Sequence, residues 1–286
     1  MTHAGSADRY DAEATVADVV SAMSKRYPTA WAEDWDRVGL VVGDPAALVR
    51  RILLVIDCVP ETLAEAIEGG ADMIIAHHPL LLRGVHSVAA TTYKGSVVHQ
   101  LIRAGIALHV AHTNADVAEP GVSGALAGVL ELRDSRPLVP GDGGPAGSGR
   151  IGLLPHSMTV AELASYVAAR LPATFSGVRA AGDPDRRVTT LAVMGGAGDS
   201  YLRDAVAAGV DAYLTADLRH HPASEHLAEA GPALVDAAHW ATERPWLDLL
   251  ANELAADLPV DVRVSDFVTD VWRVHAPSPN LKEPSP

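Results

Sequence analysis

The sequence predicts an α/β protein of two similar, interlinked modules, and three observations carry the prediction. Short β-branched apolar runs alternate with amphipathic stretches of helical spacing, the order that gives a parallel sheet covered on both faces. That order occurs twice: LLVID…EAIEGGADMIIAHH returns as LAVMG…DAVAAGVDAYLTADLRHH, and RAGIALHVAHTNAD returns as EAGPALVDAAHWATE. Polar and ionisable residues gather just past the ends of the predicted strands, where open α/β sheets bind ligands. Two copies are too few for a solenoid and suit two modules facing each other.

In chain order, residues 12–27 place apolar side chains at helical spacing, with Thr15 near the start and Pro28 as a stop. The run RILLVIDCV (51–59) reads as a buried strand. Pro60 opens a helix that Gly69-Gly70 closes. ADMIIA is a second strand, ended by His77-His78-Pro79. A helix around 94–104 leads to a third strand, GIALHVAH, and then to Thr113-Asn114-Ala115-Asp116. The Pro/Gly-rich stretch 136–149 reads as a flexible linker, so the expected division is 1–135, linker, and 150–275. The second module opens with a short strand and a helix for which Thr159 and Glu162 form a capping box. VTTLAVMGG, VDAYLTA and PALVDAAH are its strands; SYLRDAVAAG and HPASEHLAEAG are its helices. Residues 276–286 are expected to form a disordered tail.

Composition narrows the function class. The 286 residues carry 22 bases against 36 acids, a formal net charge of −14. Such a surface repels phosphates in general, so nucleic-acid binding by overall electrostatics is disfavoured, while a local basic or metal-lined groove stays open. Cys58 is the only cysteine; it excludes an intrachain disulfide and a thiolate metal cluster and reads as a buried thiol. No run approaches about 18 apolar residues and no secretory signal is visible, so a cytoplasmic protein is expected.

The strand ends hold the chemistry. His239 and Glu243 are four apart, on one face of a helix, where an imidazole and a carboxylate suit Zn, Mn or Fe(II); a surface His–Glu contact is the plain alternative. His77-His78 follows an apolar strand, and two imidazoles do not both hide in a core cheaply. At a strand end each can reach a different metal; one buried and one exposed His is the alternative. Asp116 follows a polar turn and is either a ligand or an Asx turn. Together they form a cysteine-free set that fits two divalent ions bridged by a carboxylate and a water, held about 3.5–4 Å apart and able to make a hydroxide nucleophile. Asp57 and Asp236, near strand ends, are placed to orient a ligand imidazole or to cap helices. Gly195-Gly196-Ala197-Gly198 is either a tight turn or an anion cradle, without the Lys-Ser/Thr of a P-loop.

Four motifs in order, WDRVGL (35–40), His77-His78-Pro79, HTNAD (112–116) and AHWATE (238–243), resemble the homologues of type 2 GTP cyclohydrolase I, the YbgI-like and Nif-like proteins, over about residues 12–275. The resemblance implies two interlinked α/β modules with a dinuclear metal site in the cleft between them. It implies His77, His78, Asp116, His239 and Glu243 as ligands, with Glu243 bridging. It also implies a ring-shaped homohexamer, a trimer of dimers. The implied activity is metal-dependent hydrolysis of a nucleotide or phosphoester through a bridging hydroxide. His112 and His221 are the candidate proton shuttles beside Glu243, His221 and Asp217 being read as the repeat counterparts of His78 and its neighbour. A metal-binding scaffold or carrier, and a ring that cuts single-stranded nucleic acid, are the alternatives. Arg37, Ser123 and Ala216 stand where the family has Asn, Asn and Gly, and none touches an expected ligand.

Overall fold

A computed structural model describes residues 13–141 and 146–277. The expected tail lies almost wholly outside the described residues. The first half builds α1 (Val16–Arg26), β1 (Gly39–Val42), β2 (Arg51–Val55), α2 (Pro60–Glu68), β3 (Met73–Ala76), α3 (Tyr93–Ala104), β4 (Ala107–Val110), α4 (Thr113–Asp116), α5 (Val122–Val129) and β5 (Arg133–Arg136). The second builds β6 (Arg150–Thr159), α6 (Val160–Arg170), β7 (Val178–Ala181), β8 (Arg187–Ala197), α7 (Leu202–Ala208), β9 (Ala212–Ala216), α8 (His220–Ala228), β10 (Ala233–Ala237), α9 (His239–Glu243), α10 (Pro245–Asp257) and β11 (Asp261–Val264).

Two sheets result, with orders β11-β2-β3-β4-β1 and β7-β10-β9-β8-β6-β5. The central strands β2-β3-β4 and β8-β9-β10 run parallel, and β1 and β7 close corresponding edges antiparallel. The modules exchange strands. β11, from the end of the chain, pairs with β2, and β5, from the first half, pairs with β6.

The repeat extends to single hydrogen bonds. Asp72 accepts the backbone N–H groups of Arg50 and Arg51 at 2.7 and 2.9 Å; Asp211 accepts those of Thr189 and Thr190, both at 2.9 Å. α1 and α6 each open with a capping box, Thr15 with Asp18 and Thr159 with Glu162.

Strand alternation explains why both faces are apolar. Ile52, Leu54, Met73 and Ile75 face a core shared with Leu191, Val193, Leu214 and Val235 of the second sheet and with α1, α5, α6 and α10. Leu53, Val55 and Ile74 face a separate cluster under α2 and α3, where Cys58 is buried. One continuous core therefore joins the two sheets, and the ends of β3, β4, β9 and β10 are held in register with one another.

Within 136–149 the described residues pack more than a flexible linker would. Val139–Pro140 pairs with Gly147–Ser148, and Leu138 is buried. The buried guanidinium of Arg150 donates to the carbonyls of Gly147, Gly149 and Ala118 and pairs with Glu119, fastening this stretch to the first half. Among the described residues no helix is long and apolar enough to cross a membrane.

Candidate metal centre

The strand ends of the two modules meet at four imidazoles and two carboxylates. His77 and His78 continue the β2–β3 pairing, their N–H groups donating to Val55 and Ile56 carbonyls at 3.0 and 2.8 Å. The strand then ends, and both rings turn to one place, 5.0 Å between centroids. His112 closes β4, and His239 and Glu243 share a face of α9.

Each imidazole commits Nδ1 to a protein acceptor. His77 donates to the Ala111 carbonyl at 2.9 Å, His78 to Asp57 Oδ1 at 2.8 Å, His112 to Asp36 Oδ1 at 2.9 Å and His239 to Asp217 Oδ2 at 2.7 Å. A carbonyl or carboxylate only accepts, so these contacts place the hydrogen on Nδ1 and leave Nε2 for a ligand. His77 Nε2 lies 3.4 Å from Glu243 Oε1 and 3.6 Å from Asp116 Oδ1. His78 Nε2 lies 3.2 Å from Glu243 Oε2, and His239 Nε2 lies 3.0 Å from Oε1. Donor atoms about 2.0–2.2 Å from a tetrahedral ion stand roughly 3.3–3.6 Å from one another.

His77 Nε2, Asp116 Oδ1 and Glu243 Oε2 are buried and without hydrogen-bond partners. Three such atoms in one place are costly unless something else satisfies them. Two overlapping triads can each hold an ion, His77–His78–His112 and His78–His239–Glu243. The donor set, imidazole and carboxylate without thiolate, fits divalent Zn, Mn or Fe.

The electrostatics follow from this crowding. Burial alone would raise the Glu243 carboxyl, but His78, His239 and His77 around it hold it well below the usual range. Burial works against charge on His78, yet the Glu243 and Asp57 carboxylates push it up to about 10. His239 is pushed to about 11 by Glu243 and Asp217 in the same way. Burial raises Asp116 to about 7.

Local sequence explains several details. Gly196 has φ +70°, and a Cβ there would stand 2.5 Å from Glu243 Oε1 and 3.2 Å from His239 Nε2. The glycine-rich turn after β8 thus makes room for the carboxylate, which settles the tight-turn reading of 195–198. Asp217 adopts φ +56°, a left-handed conformation rare outside glycine, which brings its carboxylate to His239.

His77, His78, Asp116, His239 and Glu243 are brought together, and His112 joins them. Asp57 orients an imidazole as expected, but Asp236 pairs with Arg179 instead. Asp36, within the WDRVGL motif, is buried and accepts from His112 and Thr113. Counting from the matched anchors Asp72 and Asp211, Asp217 stands opposite His78, and Ala216 opposite His77. His221 therefore does not mirror the first His pair; it stands exposed in the first turn of α8, against His220, outside the lining of the cavity beside the centre. Thr269, which no sequence motif marks, donates its hydroxyl to Asp57 Oδ2 at 2.5 Å from beyond β11. The cavity has a volume of about 820 Å³ and runs from His78, His112 and His239 to Arg179, Asp270 and Trp272.

Residues 14–271 match the family model Duf34/NIF3 (NGG1p interacting factor 3). The chain belongs to the Duf34/NIF3 family. A Streptomyces coelicolor relative named GTP cyclohydrolase 1 type 2 homolog is 53% identical over 271 residues, 92% of this chain and 95% of its own. A Mycobacterium tuberculosis relative of the same name is 35% identical, covering 91% and 97% of the two chains. That alignment spans 370 residues, more than the 286 here, so the relative carries inserted sequence that this Duf34/NIF3 chain lacks. Among solved structures, a Staphylococcus aureus protein superposes with a TM-score of 0.84 at 28% identity, over 91% of this chain and 99% of that one. A Bacillus cereus protein related to NIF3 gives 0.85 at 23%, over 92% and 99%, and speaks for the fold alone.

Proposed function

We propose that this Duf34/NIF3 protein is a dinuclear metal-dependent hydrolase acting on a nucleotide or phosphoester. The observation that carries the reading is a set of imidazole nitrogens and carboxylate oxygens spaced 3.0–3.6 Å apart, three of them buried and without partners, with every facing imidazole tied back through Nδ1. His77, His78, Asp116, His239 and Glu243 would hold the ions, with Glu243 shared between them. When bound, two divalent ions supply Lewis acidity for the ester oxygen and a hydroxide at neutral pH. The chain's own residues do the rest. Asp57 and Asp217 hold His78 and His239 in the tautomer that exposes Nε2. Asp36 does the same for His112, which stands beside the five ligands and, where its Nε2 holds no ion, would be the group to accept a proton. The buried Trp246 ring, 5.3 Å from His77, backs the centre and excludes water.

The relatives named GTP cyclohydrolase 1 type 2 homolog suggest GTP as one substrate to assay. The test measures bound metal first, then turnover of GTP and of model phosphodiesters, with wild type and Glu243→Gln. Metal-dependent turnover that vanishes in the variant is the expected result. Stable metal uptake without turnover of any of these esters would overturn the hydrolase and leave a carrier or scaffold. A homohexamer, the assembly the family resemblance implies, is proposed with it and is read from light scattering.

A further inference from the structure

The cavity beside the centre is charged in an unexpected sense. Asp57, Asp217, Asp236 and Asp270 line it, and among the described residues Arg179 is the single Lys or Arg on its wall. Arg179 is already paired with Asp236, so it offers no free charge to an anion. Asp57 is occupied by His78 and Thr269, and Asp217 by His239. Asp270 differs: it is more than nine-tenths buried, and its Oδ2 has no partner. Five buried side-chain atoms lack partners among the described residues; three belong to the expected metal ligands, and Asp270 Oδ2 is one of the other two. A buried carboxylate oxygen with no donor is costly, and a bound donor removes that cost. Two residues on, Trp272 lines the same cavity with about two thirds of its surface exposed, an indole face available to a cation.

We propose that Asp270 determines specificity by taking the cationic end of a ligand, an ammonium or guanidinium group, whose phosphoryl end lies at the metal centre; the inference rests on the hydrolase reading above. The lining disfavours an anionic group placed away from the metal centre. Beyond the imidazoles of the centre the wall presents carboxylates and a paired Arg179, and the net charge of −14 opposes a second anionic group further out. A carboxylate already desolvated by the fold gains more from a cation than one in water does.

The test is calorimetric, on the metal-loaded full-length protein, with non-hydrolysable probes. ω-Aminoalkylphosphonates of two to six carbons are compared with alkylphosphonates of the same length. At the length that spans the cavity the amine should bind about tenfold or more tighter, the size expected of one charge-assisted hydrogen bond. Asp270→Asn, which keeps the shape and removes an unpaired buried charge, should bring the two series within about twofold of each other without changing metal content or alkylphosphonate affinity. Equal affinity of the two series at every length in wild type, or an amine preference that survives Asp270→Asn, would overturn the proposal and leave the hydrolase reading standing. If no phosphonate binds in a metal-dependent way, both fall together. The wild-type series is decisive even if the variant fails to fold.

Discussion

The two modules share a frame and differ at its ends. Asp72 and Asp211 pin the same backbone N–H groups, and both helices that open a module carry capping boxes. At the strand ends the resemblance stops. The first copy supplies three imidazoles, His77, His78 and His112, and the carboxylate Asp116. The second supplies His239 and Glu243, with Gly196 where the first copy has Asp57. Backbone hydrogen bonding demands the same partners wherever a parallel strand begins, so the frame repeats. Residues past a strand's last hydrogen bond answer only to what they face, and here they face each other. Neither copy alone assembles the five candidate ligands.

That division can be broken most directly at Glu243, which the second module places among the first module's imidazoles. Glu243→Gln should abolish binding of at least one ion and lower turnover by more than the roughly 10–100-fold typical of groups behind a ligand. Metal analysis of the purified variant is the check; two ions retained at wild-type affinity would remove Glu243 from the centre. Gly196→Ala attacks the same carboxylate from the backbone. The added methyl meets Glu243 Oε1 at 2.5 Å, and φ +70° strains any other residue. A loss of about 1–3 kcal/mol in stability is expected, together with weaker metal binding. Denaturant unfolding and chelator competition measure the two effects separately.

Much of this was legible before the structure, and for a physical reason. The paired strands and helices declare themselves through apolar alternation, and the ligands sit where sheet geometry puts functional residues. HxxxE in α9 declares itself through helical spacing. Partners from distant stretches were harder. Asp36 and His112 are 76 residues apart, and Thr269 and Asp57 are 212 apart, so no local pattern connects them. The strand exchange by β5 and β11 was hidden likewise, because pairing partners of a short edge strand leave little trace in its own sequence. His221 lies four residues past Asp217, so pairing it with His78 puts the second copy out of step with the Asp72 and Asp211 anchors.

Protons sharpen the comparison next. In the metal-free protein His78 and His239 hold theirs at neutral pH, at about 10 and 11, and Asp116 sits near 7. Metal must displace these protons, so its apparent affinity should rise with pH, and binding at pH 7 should release about two or more. Calorimetry in buffers of different ionisation enthalpy counts them; uptake without proton release contradicts the arrangement. Stability of the metal-free protein should run the opposite way. Both His values are raised above 6.5, so their contribution is complete below about 6.5 and is lost as pH climbs through 10 to 11. Thermal unfolding with a chelator present should therefore show Tm falling over that range.

The orienting carboxylates give the smallest and most discriminating contrast. Asp57 is half-buried and gripped from both sides, by His78 Nδ1–H and by Thr269 Oγ1–H, whereas Asp217 is exposed and holds His239 alone. Water competes with and screens the exposed pair, so Asp57→Asn should weaken metal binding within a range of about 10–100-fold, and Asp217→Asn should stay near its lower edge. Thr269→Val tests whether the grip on Asp57 matters beyond packing. Valine keeps the shape and removes the donor to Oδ2, leaving the Asp57 carboxylate free to rotate and take Oδ1 off His78. A several-fold loss of metal affinity is expected, restored by Thr269→Ser, which keeps the hydroxyl. A purely structural role would lower Tm in both variants and leave chelator competition unchanged. That outcome would place the orientation of His78 in Asp57 alone and detach the segment after β11 from the centre.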